Sequence, residues 1–429
     1  MYKITFSLLT LIFSTTLYSQ CWKSIGRIDG DSASISFAIK ENGTLWAWGG
    51  NYGLFGNGTT TASAIPIKIG TDTNWKSINY SHSNVFGIKT DGTLWAWGRN
   101  ILGNGTNNSS LIPVQIGIEN QWKDVSTAYN MTLALKNNGT LWYWGDNSNI
   151  NNVLIPTKLG ADTDWIYIYK NWGQTYLIKN DGSLWQSGFY LGNNYVLNPS
   201  KIGNETDFRL AISNYTIKTD GSLWYYSNNN STPLSGTKQL VGTNTWYTIT
   251  EDAWGNEIFG ITTDGKLWSI NNGVATQIGN ESNWKEITVL GSGAYSSNYG
   301  SAKLALKTDG TIYTWGTECC GEFGNGYVDG LPIALPTIVN TPGCLASIEE
   351  VNSSEYTFEV FPNPTDGLLT ISAPDKLIDS VTIKNAEGRT ILVISKPSNT
   401  IDIKGFDKGV YFLECRDRKS VWSKFVVKQ

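Results

Sequence analysis

The side chains that most often carry catalysis are scarce in this sequence, and those present are poorly spaced for it. There is one histidine, His82, so a Ser-His-Asp triad would depend on it alone and a histidine-rich metal cluster is excluded. It lies in Tyr80-Ser81-His82-Ser83-Asn84, a polar stretch that reads as an exposed loop before a strand. Glycoside hydrolysis needs two acids held several ångströms apart in a cleft. Asp91, Asp181, Asp220, Asp264 and Asp309 each precede a glycine and read as turn formers, which leaves Glu251-Asp252, Glu318 and Glu322 as unassigned loop acids. The loop from Gly53 to Gly58 resembles a phosphate loop only superficially, because it lacks the lysine and the following helix. Asp29-Gly30-Asp31 is too short for a calcium loop. No catalytic residue, no cofactor and no metal site is expected, and the chain reads as a non-enzyme.

What the sequence does contain is a repeated phrase, Ala38-Ile39-Lys40-Glu41-Asn42-Gly43-Thr44-Leu45-Trp46, which recurs around Gly92, Gly139, Gly182, Gly221, Gly265 and Gly310. Each copy is an apolar run, an Asn-Gly or Asp-Gly pair, and an aromatic run, the pattern of a β-hairpin. A type I′ turn made of those two residues would place Ile39 opposite Trp46 and Phe37 opposite Trp48. Every other copy would then pair an aliphatic with an aromatic residue in the same way. A Trp-led strand precedes each hairpin (Trp22, Trp75, Trp122, Trp165, Phe208, Trp246, Trp284), and an apolar-Gly pair such as Ile69-Gly70 closes most units. Four short strands in units of this length predict a propeller blade. The expected fold is therefore all-β: a seven-bladed β-propeller over 21–344, whose closed ring exposes no long sheet edge.

The wording from Ile88 to Asn100, followed by Leu102-Gly103-Asn104-Gly105-Thr106, resembles the regulator of chromosome condensation repeat. The likeness is specific in units 1, 2, 3 and 7. Units 4, 5 and 6 lack Trp-Gly after the hairpin and most of the Gly-Asn-Gly-Thr loop. The resemblance implies a propeller that serves as a binding scaffold. The nuclear exchange-factor role does not carry over to an exported protein.

Export is read from both ends. Met1-Tyr2-Lys3, an apolar stretch to Leu17 and Tyr18-Ser19-Gln20 form a signal peptide over 1–20, too short to span a bilayer comfortably. Cleavage beside Ser19 or Gln20 would leave Cys21 at or next to the mature N-terminus. Lipidation of Cys21 is the rival reading, against which the bulk of Gln20 argues. No other stretch is long enough to be an integral membrane span. After a polar linker at 345–354, residues 355–429 hold seven short β-prone runs with turn signals between them, enough for a small C-terminal β-sandwich. Pro362, Asn363, Pro364 and Gly367 within Phe361–Gly367, and Gly409 and Tyr411 in Gly409-Val410-Tyr411-Phe412, are similar to the sorting domain of the type IX secretion system of the Bacteroidota. The resemblance implies type IX secretion machinery as a partner, periplasmic transit, and removal of the tail on release or surface attachment. In such a bacterium, triplets such as Asn57-Gly58-Thr59 read as turns, not glycosylation acceptors. The net charge is −4 and there is no basic stripe, so no nucleic acid partner is expected. A monomer is expected.

Five cysteines suit an oxidising compartment. Cys319 and Cys320 are adjacent, so a mutual bond would be strained, and Cys415 reads as a buried thiol. Cys21 and Cys344 flank the repeats, so a closed ring would bring them together. A disulfide there would contribute roughly 5 kcal/mol on the chain-entropy model, usually an upper bound. In a four-strand meander, the tight turns occupy one face and the longer one-two and three-four connections share the other. Those connections carry Tyr129, Trp172, Trp254 and Tyr295 in the first set, and Tyr52, Arg99 and Tyr327 with Phe55 and Phe323 in the second. Aromatic rings and Arg on the loops of a rigid scaffold suit recognition of an extracellular protein or glycan, with local packing as the competing reading. The expected function is a secreted or cell-surface binding scaffold. The alternatives are a secreted carbohydrate-active enzyme and an inhibitor of an extracellular enzyme.

Overall fold

The computed structural model describes residues 21–28, 33–128, 131–147, 150–171, 175–187, 189–191, 194–196, 198–227, 234, 237–252, 257–290, 301–326, 328, 333–339, 359–372, 378–385, 390–395, 400–416 and 421–428. Every regular element among them is a β-strand, and they contain no helix long and apolar enough to cross a membrane. The signal peptide at 1–20 and the linker at 345–354 lie outside the described residues. The chain divides into two compact units, Met1–Ala346 and Ser347–Gln429.

In the first unit, seven sheets among the described residues share one meander order. The first runs through strands Trp22–Ile25, Ile35–Lys40, Leu45–Gly49 and Ser63–Ile69. Two sheets carry additions. Arg27–Ile28 leaves the first sheet and pairs in parallel with the first strand of the second, Arg27 opposite Asn79. A small hairpin, Phe189–Leu191 with Asn194–Val196, interrupts the fourth.

The hairpins differ from the expected two-residue turn. Gly43 N–H donates to the Lys40 carbonyl (2.8 Å) and Lys40 N–H to the Thr44 carbonyl (3.0 Å), so Glu41, Asn42 and Gly43 form a three-residue loop. Gly43 takes the left-handed conformation (φ 75°), whereas Asn42 does not. This is a type I turn closed by a glycine bulge. The extra loop residue shifts the register by one and moves every side chain to the other face. Trp46 therefore lies opposite Ala38 and Trp48 opposite Ser36, while Ile39 faces Leu45. The shift is general: Trp95 faces Gly87, Trp142 faces Ala134, and Trp268 faces Gly260. The small partner has a packing reason. A Cβ on Gly87 would lie 2.4 Å from the ring of Trp75, and one on Gly260 would lie 2.7 Å from Trp246. In the second and sixth sheets the second strand thus makes room for the tryptophan that opens the unit, whereas the fourth and fifth carry Leu177 and Thr216 at this position.

The turn glycine also joins neighbouring sheets. Its carbonyl accepts the N–H of the residue that opens the next unit, Gly43 from Trp75, Gly92 from Trp122, and onward to Gly265 from Trp284. A seventh bond returns from Trp22 N–H to the Gly310 carbonyl at 3.0 Å and closes the ring. Side chains reinforce the seam: Ile25 N–H donates to Glu286 Oε2 (2.9 Å) and Lys285 Nζ to the Lys23 carbonyl (2.5 Å). Buried Cys21 packs at this seam beside Gly310. Cys344, its expected partner, lies outside the described residues.

The second unit contains the seven expected strands in two sheets. Glu359–Phe361, Leu368–Ser372 and Thr400–Asp402 form one, and Thr390–Ser395, Ser380–Asn385, Gly409–Arg416 and Val421–Lys428 form the other. Leu369, Ile371, Val381, Ile383, Ile401 and Leu413 are the centre of its core. Cys415 is a free buried thiol there, pushed up to about 12 by burial.

Candidate functional site

Of the seven loop residues singled out for binding, Tyr129, Trp172, Trp254, Tyr295 and Tyr327 lie outside the described residues. Tyr52 and Arg99 are described, and the structure brings them together. Asn51 Oδ1 accepts three consecutive N–H groups, from Gly53, Leu54 and Phe55 (3.0–3.1 Å), while its amide donates to the Thr59 and Thr61 carbonyls. This clamp turns Phe55 inward and leaves Tyr52 half exposed, at 50%. Arg99, from the corresponding loop of the next sheet, donates its Nε–H to the Tyr52 carbonyl (2.6 Å), and its guanidinium lies 5.5 Å from the Tyr52 ring centre. The pair is exposed. Phe55 and Phe323 are fully buried, as the packing reading of those two residues requires.

Beside this pair lie Cys319 and Cys320, which are bonded to each other. The Tyr52 hydroxyl is 3.8 Å from Cys320 Sγ. Below them, Glu322 accepts the N–H of Cys319 (3.1 Å) and of Cys320 (2.8 Å), and burial pushes its carboxyl above the usual range. Cys319, Cys320 and Glu322 form the one convergence of metal-ligand types among the described residues. Their sulfurs are spent on each other and both carboxylate oxygens on backbone N–H groups, so the set as it stands is a loop lock. It does not fit a metal.

The other acids read as loop acids also point inward, and Glu251 ends the strand Trp246–Glu251 instead of lying in a loop. Glu318 Oε2 accepts the Phe323 N–H (3.1 Å). Glu251 is buried among the fourth, fifth and sixth sheets. It is hydrogen-bonded to Tyr169 Oη and to Asn171 Nδ2 (3.0 Å), with Ser213 as a further partner. Burial raises its carboxyl above the usual range. Asp252, also buried, accepts the Glu257 N–H (3.2 Å). His82 is exposed, with Nε2 2.7 Å from Oγ of its neighbour Ser83.

A lysine series escaped the motif reading. The residue three before the turn glycine is Lys40, Lys89, Lys136, Lys179, Lys218 and Lys307 in six of the seven units. Each ammonium sits over two aromatic rings. Lys89, for example, lies 3.7 Å from the Trp95 ring centre and 5.0 Å from that of Trp75. Five of them also pair with an acid from the loop before the first strand, including Lys89 with Asp72 (2.9 Å), Lys136 with Glu119, and Lys307 with Glu281 (2.7 Å). At Lys179, burial pulls the ammonium down, but Asp162 and Asp164 more than offset it. The spacing was a usable signal: a lysine recurring in an apolar strand needs a partner, because a buried charge is otherwise costly. These lysines hold the scaffold and are not available to a ligand.

In the second unit the sorting phrase is tied to the last strand. Asn363 Oδ1 accepts the Val427 N–H (2.8 Å), and Thr365 N–H donates to the Val427 carbonyl (2.8 Å). The bonds before Pro362 and Pro364 are both cis. Gly367 has a φ of 133°, and a Cβ there would meet the Lys404 backbone at 2.7 Å. The strand Gly409–Arg416 carries Tyr411, whose hydroxyl donates to the Asp407 carbonyl (2.8 Å).

Comparison with known proteins agrees with both halves of this picture. Residues 91–135 match the regulator of chromosome condensation (RCC1) repeat, and residues 359–429 match the secretion system C-terminal sorting domain. No curated protein matches the chain. Among solved structures, yeast RCC1 (Prp20) with Kap60 bound is 14% identical over 83% of this chain and 91% of that one, with a TM-score of 0.56. Human WBSCR16 is 14% identical over 75% and 82%, with a TM-score of 0.40. Prp20p of Saccharomyces cerevisiae is 12% identical over 76% and 77%, with a TM-score of 0.41. At these identities the first likeness speaks to the fold alone.

Proposed function

We propose that this RCC1-like propeller with a type IX secretion sorting tail is a binding scaffold, not an enzyme, which recognises a protein or a glycan outside the cell. The observation that carries this reading is the Tyr52–Arg99 pair. It is an exposed ring and guanidinium on adjacent sheets, positioned by a loop whose own polar groups are satisfied. Tyr and Arg in such a setting are the residues binding energy tends to concentrate in. The acids Glu251, Glu318 and Glu322 support a binding role over hydrolysis, since each is buried and hydrogen-bonded to its own scaffold. The two loop sets share one face, so Trp172 and Trp254 are proposed to extend the same surface.

The test is capture with the full mature chain immobilised against extracellular proteins and a glycan array. Arg99→Ala and Tyr52→Ala should each weaken the captured ligand by about tenfold, roughly 1.4 kcal/mol, with an unchanged melting temperature. Trp172→Ala and Trp254→Ala should do the same. Binding unaffected by all four, or turnover of a glycan in the array, would overturn the reading. Export is tested separately: deleting 355–429 should leave a folded propeller trapped in the periplasm, and unchanged levels in the medium would count against the tail's role.

A further inference from the structure

The first strand of every unit carries the same irregularity. Its pairing with the second strand skips the residue after the opening aromatic one, a β-bulge present in all seven sheets. The skipped residue is a cation in five units, Lys23, Lys76, Lys123, Arg209 and Lys285, and Ile166 or Tyr247 in the other two. Each first strand adjoins the next around the ring, and three of these side chains point along that circle. Lys123 Nζ donates to the Ile166 carbonyl (3.2 Å), Arg209 Nη1 to the Tyr247 carbonyl (2.9 Å) and Lys285 Nζ to the Lys23 carbonyl (2.5 Å). Each reaches the same position one unit on. Lys76 lines a cavity together with Ser24 and Arg27 of the first sheet, Asp124 of the third and Glu286 of the seventh. The cations therefore surround the central opening of the ring, at the end of the strands nearest the tight turns, where Trp22 pairs with Lys40.

The two acids at this opening are answered. Asp124 Oδ1 lies 3.1 Å from Arg27 Nη2. Glu286 accepts the Ile25 N–H (2.9 Å) and lies 3.6 Å from Lys285 Nζ. Lys23, Lys76, Lys123 and Arg209 have no acidic partner among the described residues, and the three lysines are exposed. Further out, the same face is acidic. Asp72, Glu119 and Glu281 pair with the stacked lysines, and Asp91, Asp181 and Asp309 sit in the turns between the second and third strands, each held by the hydroxyl two residues on.

A positive centre inside an acidic border discriminates by size as well as by charge. A neutral ligand gains nothing from the cations, and an extended polyanion would run over the border and be repelled. A compact ion with several charges meets only the centre. Lysine ammonium groups take oxyanion oxygens as point charges from any side, and several cations around one opening concentrate the field there.

We propose that the central opening on the turn face binds a compact, multiply charged oxyanion, a polyphosphate or a polycarboxylate, between the lysines at the bulges. The site is separate from the loops that carry Tyr52 and Arg99 and does not rest on them.

The experiment is titration calorimetry of the full mature chain at about 0.15 M salt. The probes are inositol hexakisphosphate, pyrophosphate and citrate, with acetate as the singly charged control and heparin as the extended one. The hexakisphosphate should bind most tightly, with a dissociation constant on the order of 10 μM. Pyrophosphate ahead of citrate would assign phosphate as the preferred group, and the reverse order carboxylate. Lys23→Ala, Lys76→Ala and Lys123→Ala should each weaken the hexakisphosphate about fivefold. Together they should weaken it about a hundredfold, with an unchanged melting temperature. Lys68→Ala removes an exposed lysine from an outer strand and should leave binding unchanged. Three results would overturn the proposal: the hexakisphosphate does not bind, acetate or heparin binds more tightly than it does, or Lys68→Ala weakens it as much as the three bulge variants do.

Discussion

Two arcs of the same ring are joined in different ways. In the arc of the seventh, first, second and third sheets, a second tryptophan stands on the third strand and a glycine of the neighbouring loop lies flat against it. A Cβ on Gly56 would come within 3.0 Å of Trp97, one on Gly103 within 2.8 Å of Trp144, and one on Gly324 within 2.7 Å of Trp48. Trp97 also donates its indole N–H to the Leu54 carbonyl (2.6 Å), and Trp48 to the Glu322 carbonyl (2.9 Å). In the fourth, fifth and sixth sheets, the equivalent positions hold Ser187, Tyr226 and Ile270. There the neighbours are tied by tyrosine hydroxyls: Tyr167 to the Ala211 carbonyl, Tyr176 to the Ser213 carbonyl, and Gly273 N–H to Tyr215. A ring therefore tolerates loss of the repeat's most visible signature, provided another directional contact replaces it.

The lysine stack shows the same rule at one position. In the sixth sheet the order of lysine and threonine around the turn is exchanged. Thr262 stands where the other units have lysine, and Lys266 where they have threonine or serine. The Thr262 hydroxyl bonds Asp264 (2.5 Å) and receives the Trp268 indole N–H (3.3 Å), and Lys266 pairs with Asp264 (2.9 Å). The local hydrogen bonds are kept, but the ammonium between two rings is given up.

Four outcomes would break or sharpen the comparison. The largest is expected from Trp97→Ala, which removes a fully buried indole and its hydrogen bond and should cost about 3–5 kcal/mol. Ser187→Ala at the equivalent place should cost about 1 kcal/mol. Equal shifts in urea midpoint would show that the two arcs do not differ. Next, Lys89→Met should cost about 1–2 kcal/mol, since it loses its place between two rings while its partner Asp72 is half in water. A loss below 0.5 kcal/mol by the same measurement, on the scale of an exposed pair, would remove the stack from the account.

A third outcome concerns pH. Burial raises the folded-state pKa of Glu251 above its unfolded value, so the folded protein holds this proton more tightly than the unfolded chain. Its contribution is fully present below the unfolded value, near 4.3, and is lost as pH rises through the folded one. Glu251→Gln should therefore melt at a higher temperature than the parent at pH 8, and the difference should shrink towards pH 4. A pH-independent difference would assign the effect to packing. The smallest effect is expected from restoring the common order with Thr262→Lys and Lys266→Thr together. This should stabilise the ring by about 0.5–1 kcal/mol, and a loss would mean that the sixth sheet has repacked around its own arrangement.

Much of the architecture was legible because it rests on local chemistry. Asn-Gly and Asp-Gly pairs mark chain reversals whatever surrounds them, so seven hairpins and the tail's seven strands could be read directly. The site was less legible. Tyr52 and Arg99 were singled out separately by type and loop, but nothing in the sequence said that they stack. Glu251 and Glu322 read as free loop acids, because spacing along the chain does not reveal that Glu251 ends a strand packed against its neighbours or that the loop of Glu322 folds back and buries it. The pairing of Cys319 with Cys320 ran against expectation, which weighed only their adjacency.

The sequence by itself determined the number of units, their strand order, the glycine at each reversal and the separateness of the tail, since each follows from residues within one unit. It did not determine the register. Two-residue and three-residue loops both use Asn-Gly, and the choice between them was made by the next unit, whose opening N–H takes the turn glycine's carbonyl. A Cβ on Gly43 would lie 2.0 Å from the Thr73 carbonyl oxygen. That contact exists only when two units are packed together. The Glu251 network, which ties the sixth sheet to Tyr169 and Asn171 of the fourth, and the meeting of Arg99 with Tyr52 are likewise properties of several units at once, held by distances that no single repeat encodes.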